Sequence, residues 1–318
     1  MSMTTLAVPP ALALPTTLDN GPFAVSTRGL VKRFGRQVAL DGVDIAVPQG
    51  AVYVLAGENG AGKSTLFHIL LNLVRPTAGD ARLLDLDPRK DGPLARAQVG
   101  YVPEYGDFGL GWMRVDRVLA HQAAFHPTWD HDYATRLSRQ LELRLDARMG
   151  KLSKGQARRV QLVMALAHRP PVLLLDEPTD GLDPVARDEV MGLLAGHVAE
   201  TGCTIVVSTH TIHEVDRLAD HVGVLSKGRL LAQVGSALLQ RMLRLYRIEV
   251  PPGWTSPPDP PGLVLRRGEF GRELQWTVWG EEREVAERLA QAGATVRAVT
   301  PLRLDEAVIT ILRAKEPS

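Results

Sequence analysis

One cysteine, Cys203, stands in 318 residues, so no internal disulfide can form and a disulfide-stapled scaffold is excluded. Its flanks, TGCTIVV, read as a buried strand, which suits a reducing compartment. Long apolar runs are lacking too. Nothing approaches the roughly 18–20 residues needed to span a bilayer, and the longest, such as Val172–Leu175 and Ala51–Ala56, are the length of core strands. That excludes an integral membrane protein. Charge of one sign is also missing: 37 Lys and Arg face 36 Asp and Glu, a net of +1, so no global field draws the chain to nucleic acid. There is no internal repeat and no heptad array, which removes coiled-coil architectures. The opening stretch MSMTTLAVPPALALPTTLDNGP has no basic start and carries Pro inside its apolar run. It reads as a loose leader over residues 1–22 rather than a signal peptide. What remains is 45% hydrophobic and 23% charged, the balance of a globular protein with room for two domains.

From residue 23 to 236 strand-like and helix-like segments interleave. Val43, Ile45 and Val47 alternate as a half-buried strand does. Ala51–Ala56 is apolar throughout and enters a Gly-rich turn, the pattern of a buried parallel strand. Tyr133, Leu137, Leu141 and Leu145 recur every four residues and predict an amphipathic helix. Such interleaving favours an α/β domain on a largely parallel sheet. Pro251–Gly262 is a Pro-dense break, read as a rigid loop in preference to a linker, because Tyr246, Ile248 and Val250 alternate before it and Leu274, Trp276 and Val278 after it. A helix over Glu281–Ala290 capped at Gly293, a strand through Ala294, Val296 and Ala298, and a last helix with Leu304, Val308, Ile311 and Leu312 on one face complete a small α/β domain over 246–318.

Two motifs carry chemistry. Gly57-Glu58-Asn59-Gly60-Ala61-Gly62-Lys63-Ser64-Thr65 fits GxxxxGK[ST] between a strand and a helix. Its glycines let backbone N–H groups turn in around phosphate oxygens, the helix N-terminus adds a favourable dipole, and Lys63 reaches the outer phosphates. Ser64 places a hydroxyl on Mg²⁺. Farther on, Val172-Leu173-Leu174-Leu175-Asp176-Glu177 is an apolar strand ending in two carboxylates, at the sheet edge where α/β folds bind ligands. Asp176 is placed to hold Mg²⁺ in its outer shell and Glu177 to polarise a water for attack on a γ-phosphate.

Between and after these lie Leu152-Ser153-Lys154-Gly155-Gln156, then Asp180-Gly181-Leu182-Asp183, then Ser208-Thr209-His210. In this order the chain, from about Ser26 to Gly235, resembles the ATP-binding subunit of ABC transporters, and of the bacterial exporter branch that pairs with a separate permease. The resemblance implies a P-loop NTPase core of ABC type with an antiparallel β subdomain and a helical subdomain, besides the small C-terminal domain. It implies that Phe34 stacks on adenine, that Glu104 occupies the Q-loop position near Mg²⁺, and that Ser153, Gly155 and Gln156 form the signature facing a second subunit's ATP. Gly181–Asp183 matches the D-loop and His210 the switch histidine. The implied partners are an integral membrane permease and a second ATPase subunit, identical or not, with the protein on the cytoplasmic face of the membrane. Alternatives are a non-transport ABC ATPase acting on ribosomes or DNA, and an importer motor.

Two residues depart from the family's common pattern. Lys154 replaces the first glycine of LSGGQ, leaving open a cation near phosphate or one facing solvent. Glu104 stands where Gln is usual and can accept but not donate as an amide does. Elsewhere His121, His126 and His131 are expected as surface or partner-facing residues rather than metal ligands, since Pro127 breaks any shared helix. Trp112, Phe125 and Trp129 lie between the Q-loop and the signature, where the resemblance implies contact with the membrane partner; the core of a small subdomain is the favoured reading for any one of them. Arg158-Arg159 is expected on a solvated helix face.

Overall fold

A computed structural model describes residues 22–104, 109–256, 262–271 and 273–314. The leader expected over 1–22 lies outside them but for Pro22. The chain begins with β1 (Phe23–Phe34), β2 (Gln37–Val43) and β3 (Ala46–Pro48), followed by β4 (Val52–Ala56), α1 (Lys63–Leu70) and β5 (Ala78–Leu83). Strands β2, β3 and β5 all pair antiparallel with β1. The alternation of Val43, Ile45 and Val47 thus spans two strands, and all three side chains are buried.

Next come α2 (Gly92–Ala97), β6 (Val99–Val102), α3 (Val115–Ala123), α4 (His131–Gln140), α5 (Lys154–Leu166), β7 (Val172–Asp176), α6 (Pro184–Thr201), β8 (Thr204–Thr209), β9 (His221–Ser226) and β10 (Arg229–Gly235). They build a second sheet in the order β10-β9-β4-β8-β7-β6, parallel except for β10. Its period-two side chains feed two cores. Val52, Val54, Leu173, Leu175, Ile205 and Val207 enter one, while Tyr53, Leu55, Val172, Leu174 and Val206 enter the other. Each such buried aliphatic side chain stabilises by about 1.5–3 kcal/mol, which is why these strands are apolar on both faces.

Helix α4 ends sooner than its periodicity predicts. Leu141 closes it and Glu142 takes φ +50, so Leu145 leaves the helix and is exposed. After α7 (Ser236–Met242) comes a third, antiparallel sheet of β11 (Leu243–Glu249), β12 (Leu263–Phe270), β13 (Glu273–Trp279) and β14 (Thr295–Pro301), in the order β12-β13-β11-β14. Strand β12 had no sequence expectation. Helix α8 (Glu282–Gln291) lays Val285 and Leu289 on Tyr246, Ile248, Leu274, Trp276 and Val278. The last helix, α9 (Leu304–Ala314), does otherwise. Its Leu304, Ala307, Val308 and Ile311 join a core of the six-stranded sheet, against β9, β10 and the turn 212–214.

Candidate functional site

Strand register assembles the site. Ala56 pairs with Thr209, and Asp176 with Ser208, so Gly57, Glu177 and His210 leave the sheet side by side. The Gly57 N–H donates to the Thr209 carbonyl at 3.2 Å and the Glu177 N–H to that of Ser208 at 3.0 Å. Beyond Gly57 the loop reaches α1 through Gly60 and Gly62, at φ +80 and +110. A Cβ on Gly62 would stand 2.5 Å from the Ala39 carbonyl oxygen, so this turn accepts only glycine.

The resulting cleft, of about 390 Å³, is lined by Phe34, Asn59 to Thr65, Glu104 and Glu177. Lys63 is folded into it. Its Nζ donates to the carbonyls of Gly57 (2.7 Å) and Glu58 (3.2 Å) and stands 3.4 Å from Glu177 Oε1, both side chains being 6% exposed. The other Glu177 oxygen, Oε2, meets His210 Nδ1 at 3.0 Å. Glu177 itself sits at φ +47, a left-handed conformation costing a non-glycine about 1–3 kcal/mol and concentrated at functional sites. Asp176 is buried and accepts a short hydrogen bond from the Ser208 hydroxyl. Phe34 is 49% exposed at the mouth, with Lys32 Nζ 4.5 Å from its ring centroid. An aromatic face beside a cationic, amide-lined cleft can hold a base at one end and phosphates at the other.

The expected Mg²⁺ ligands are Ser64, Glu104 and Asp176. These are hard oxygen donors, the chemistry magnesium requires. Ser64 and Glu104 line the cleft, and Asp176 ends the strand from which Glu177 enters it, so the residues fit the ion. No cluster of three or more His, Cys, Asp or Glu occurs among the described residues.

Ser153, Gly155, Gln156 and Asp183 lie apart from this cleft and cap helices. Ser153 Oγ accepts from the Gln156 N–H at 3.2 Å while Gln156 Oε1 accepts from the Ser153 N–H at 3.0 Å, a reciprocal box opening α5. Asp183 accepts from the N–H groups of Val185 and Ala186 at 3.0 Å to open α6, bonds that hold its carboxyl below the ordinary range, the Ala186 one foremost. The two caps touch. Lys154 Nζ bonds Asp180 Oδ2 at 2.7 Å, depressing the Asp180 pKa. A Cβ on Gly181 would strike the Lys154 stem, at 2.6 Å from its Cδ. Lys154 therefore spans the two segments instead of pointing freely to solvent. Glu214 fixes the same loop, accepting from the Thr179 hydroxyl and pairing with Arg187 at 3.0 Å.

Two sequence expectations are corrected. Arg158 is not on a solvated face: it is 3% exposed, because α5 is packed nearly all round. Its neighbour Arg159 bonds the Leu141 carbonyl and Glu189. Trp112 and Phe125 are each 68% exposed and so are not core, whereas Trp129 packs inward. Of the histidines expected at the surface, His121, beside Phe125, and His131 are exposed, while His126 is half-buried and stacks on buried His168 with ring centroids 4.0 Å apart.

A parallel sheet whose edge presents a phosphate loop, a carboxylate and a histidine defines a nucleoside-triphosphate enzyme of the P-loop class. The ABC transporter family model matches residues 40–180. The chain is 32% identical over 224 residues to a bacitracin transport ATP-binding protein of Bacillus licheniformis, covering 70% of this chain and 73% of that protein. It is 36% identical over 239 residues to a daunorubicin resistance ATP-binding protein of Streptomyces coeruleorubidus, covering 72% of each. The structure of an ATP-binding subunit of an ABC transporter aligns with a TM-score of 0.63 at 26% identity, over 69% of this chain and 92% of that one. A dimeric ATP-binding cassette in a post-hydrolysis state, bound to ADP and phosphate, aligns with a TM-score of 0.58 at 26% identity, over 67% and 98%. The chain belongs to the ATP-binding subunits of ABC transporters and is an ATP hydrolase.

Proposed function

We propose that this chain is the motor of an exporter, with residues 23–236 hydrolysing ATP and residues 246–318 as an accessory to a separate membrane permease. The convergence of Lys63, Glu177 and His210 at one sheet edge carries the reading. The loop amides of Gly57 to Thr65 and the Lys63 ammonium bind the phosphates, exchanging the Lys63–Glu177 contact for a phosphate one. Phe34 stacks on the base. Glu177, released from Lys63, takes a proton from the attacking water, and His210 bonds the γ-phosphate. Ser64, Asp176 and Glu104 would hold Mg²⁺, whose positive charge would offset that of the phosphates.

Two copies, or this chain and a second ATPase subunit, close head to tail on two ATP molecules. The open end of α5 at Ser153 and Gly155, with Gln156 and the loop ending at Asp183, covers the partner's nucleotide; hydrolysis removes that bridge and parts the subunits. The proposed cargo is an antibiotic, lipid or envelope component, and the bacitracin and daunorubicin relatives support the first of these. No helix among the described residues is long and apolar enough to cross a membrane. In this reading the chain works at the cytoplasmic face through its permease, and near-neutral charge argues against nucleic acid as a partner. Affinity purification of the tagged chain from detergent-solubilised membranes tests this. A stoichiometric polytopic protein that stimulates its ATPase is expected; recovery with ribosomes in place of such a protein rejects the export reading.

A further inference from the structure

One buried cation beside the cleft is left without a part in the chemistry above. Arg158 stands on α5 five residues after Ser153, about 7.5 Å along the axis at helical rise. Its Nη1 donates to the Pro103 carbonyl and, at 3.2 Å, to Gln161 Oε1, while Nη2 donates to the Glu104 carbonyl at 2.9 Å. All these acceptors are neutral. Burial lowers the Arg158 pKa, and the carboxylates of Asp180, Asp176, Glu104 and Glu177 surround the guanidinium as charges without bonding it. A buried charge is tolerated only when well hydrogen-bonded, and the planar fork of arginine suits two successive carbonyls as no ammonium can. The same helix meets the same strand again farther along. A Cβ on Gly100 of β6 would lie 2.2 Å from the Ala165 carbonyl oxygen of α5, so backbone touches backbone there. Strand β6 and helix α5 are pinned at both ends.

We propose that Arg158 is a positioning residue for hydrolysis: its fork locks the main chain at Pro103 and Glu104 to the helix that opens at Ser153, so that the Glu104 carboxylate and the Ser153 end reach a bound triphosphate in one fixed relation. Arg158 touches only the backbone of this segment, and what that contact delivers to the site is the Glu104 carboxylate. It rests on the reading of the cleft as the site of ATP hydrolysis.

The test uses the full-length chain, with steady-state ATP hydrolysis and direct titration of a fluorescent ATP analogue. Arg158→Met is expected to lower kcat about 10- to 100-fold, the cost of a roughly 1 Å misplacement, while affinity stays within about threefold because no phosphate contact is lost. Arg158→Lys keeps the charge without the fork and falls between. Against a Glu104→Ala background, Arg158→Lys costs little more, since both changes act on one unit. Equal loss of affinity and kcat, losses that multiply in the double variant, wild-type kcat in Glu104→Ala, or wild-type kcat in Arg158→Lys and Arg158→Met would each overturn it. Where Arg158→Met does not fold, Arg158→Lys and the Glu104→Ala cycle carry the test. A wild-type chain that neither binds nor hydrolyses ATP fails the underlying reading instead.

Discussion

Acidification from pH 7 to pH 5 is expected to destabilise the fold through two histidines, by an amount set by their burial. His168 and His197 are 3% and 1% exposed, and burial holds each at about 4 against an ordinary 6.5, with the stacked His126 adding to the effect at His168. Their folded pKa values lie below the unfolded ones, so between pH 6.5 and 4 the unfolded chain binds more protons. Stability is therefore whole above about pH 6.5, falls as pH drops through that window, and levels off below about 4. At pH 5 the gap already traversed is about 1.5 units, which at about 1.36 kcal/mol per unit gives ~2 kcal/mol for each histidine and ~4 kcal/mol for both. That is a large share of the 5–15 kcal/mol typical of a domain. The loss bears on the helical region, since Tyr133 of α4 meets His197 of α6 through a 2.7 Å hydrogen bond. Urea titrations followed by tryptophan fluorescence at pH 7 and 5 measure it, for wild type and for a His168→Gln, His197→Gln double variant. The double variant starts less stable at pH 7 but loses about 4 kcal/mol less on acidification. An identical loss in both chains refutes the reasoning.

Three further outcomes follow from the cleft. Glu177→Gln keeps the side chain's shape but not its basicity, so it is expected to bind ATP, accumulate as an ATP-dependent dimer in light scattering, and lose turnover by about 10²–10⁴-fold; near-normal turnover removes Glu177 as the base. Lys63→Ala deletes the ammonium that stands 2.7 Å from the Gly57 carbonyl and weakens nucleotide binding itself, which calorimetric titration detects and an unchanged Kd contradicts. Chelation with excess EDTA abolishes hydrolysis and added Mg²⁺ restores it; a rate indifferent to EDTA contradicts the assignment of Ser64, Asp176 and Glu104.

Much of this architecture was legible because its signals are local. Strands β4 and β7 announce themselves as unbroken apolar runs, since a parallel strand buried on both faces has no polar side to show. Gly62 and Lys63 are legible for the same reason: the turn and the helix they serve are their own neighbours in the chain. Boundaries were less so. The four-residue repeat promised Leu145 to α4, yet the helix closes at Leu141, because Glu142 adopts φ +50 and the Leu143 N–H turns back to the Ser138 carbonyl, a stop that periodicity does not announce. Helix α9 shows the same limit. Its apolar face was plain, but nothing in that face says that it docks on the six-stranded sheet as well as on β12 of its own.

Side-chain partnerships across long intervals were the least legible, and the site depends on them. Gln156 and Ser153 were read as ligand residues from a resemblance, yet as found they satisfy one another, so any nucleotide they meet must be met chiefly by the free N–H groups at the start of α5. Arg158 was read as solvated because paired arginines on helices usually are. The contrary signal lay in its helix, where 160 and 162–166 are apolar, leaving little polar face for an arginine to occupy. A charge on such a helix must find buried acceptors, and Arg158 finds them in the carbonyls of Pro103 and Glu104, just beyond β6. The same composition that buries α5 therefore forces its arginine onto the segment carrying Glu104, and packing and positioning are served by one constraint.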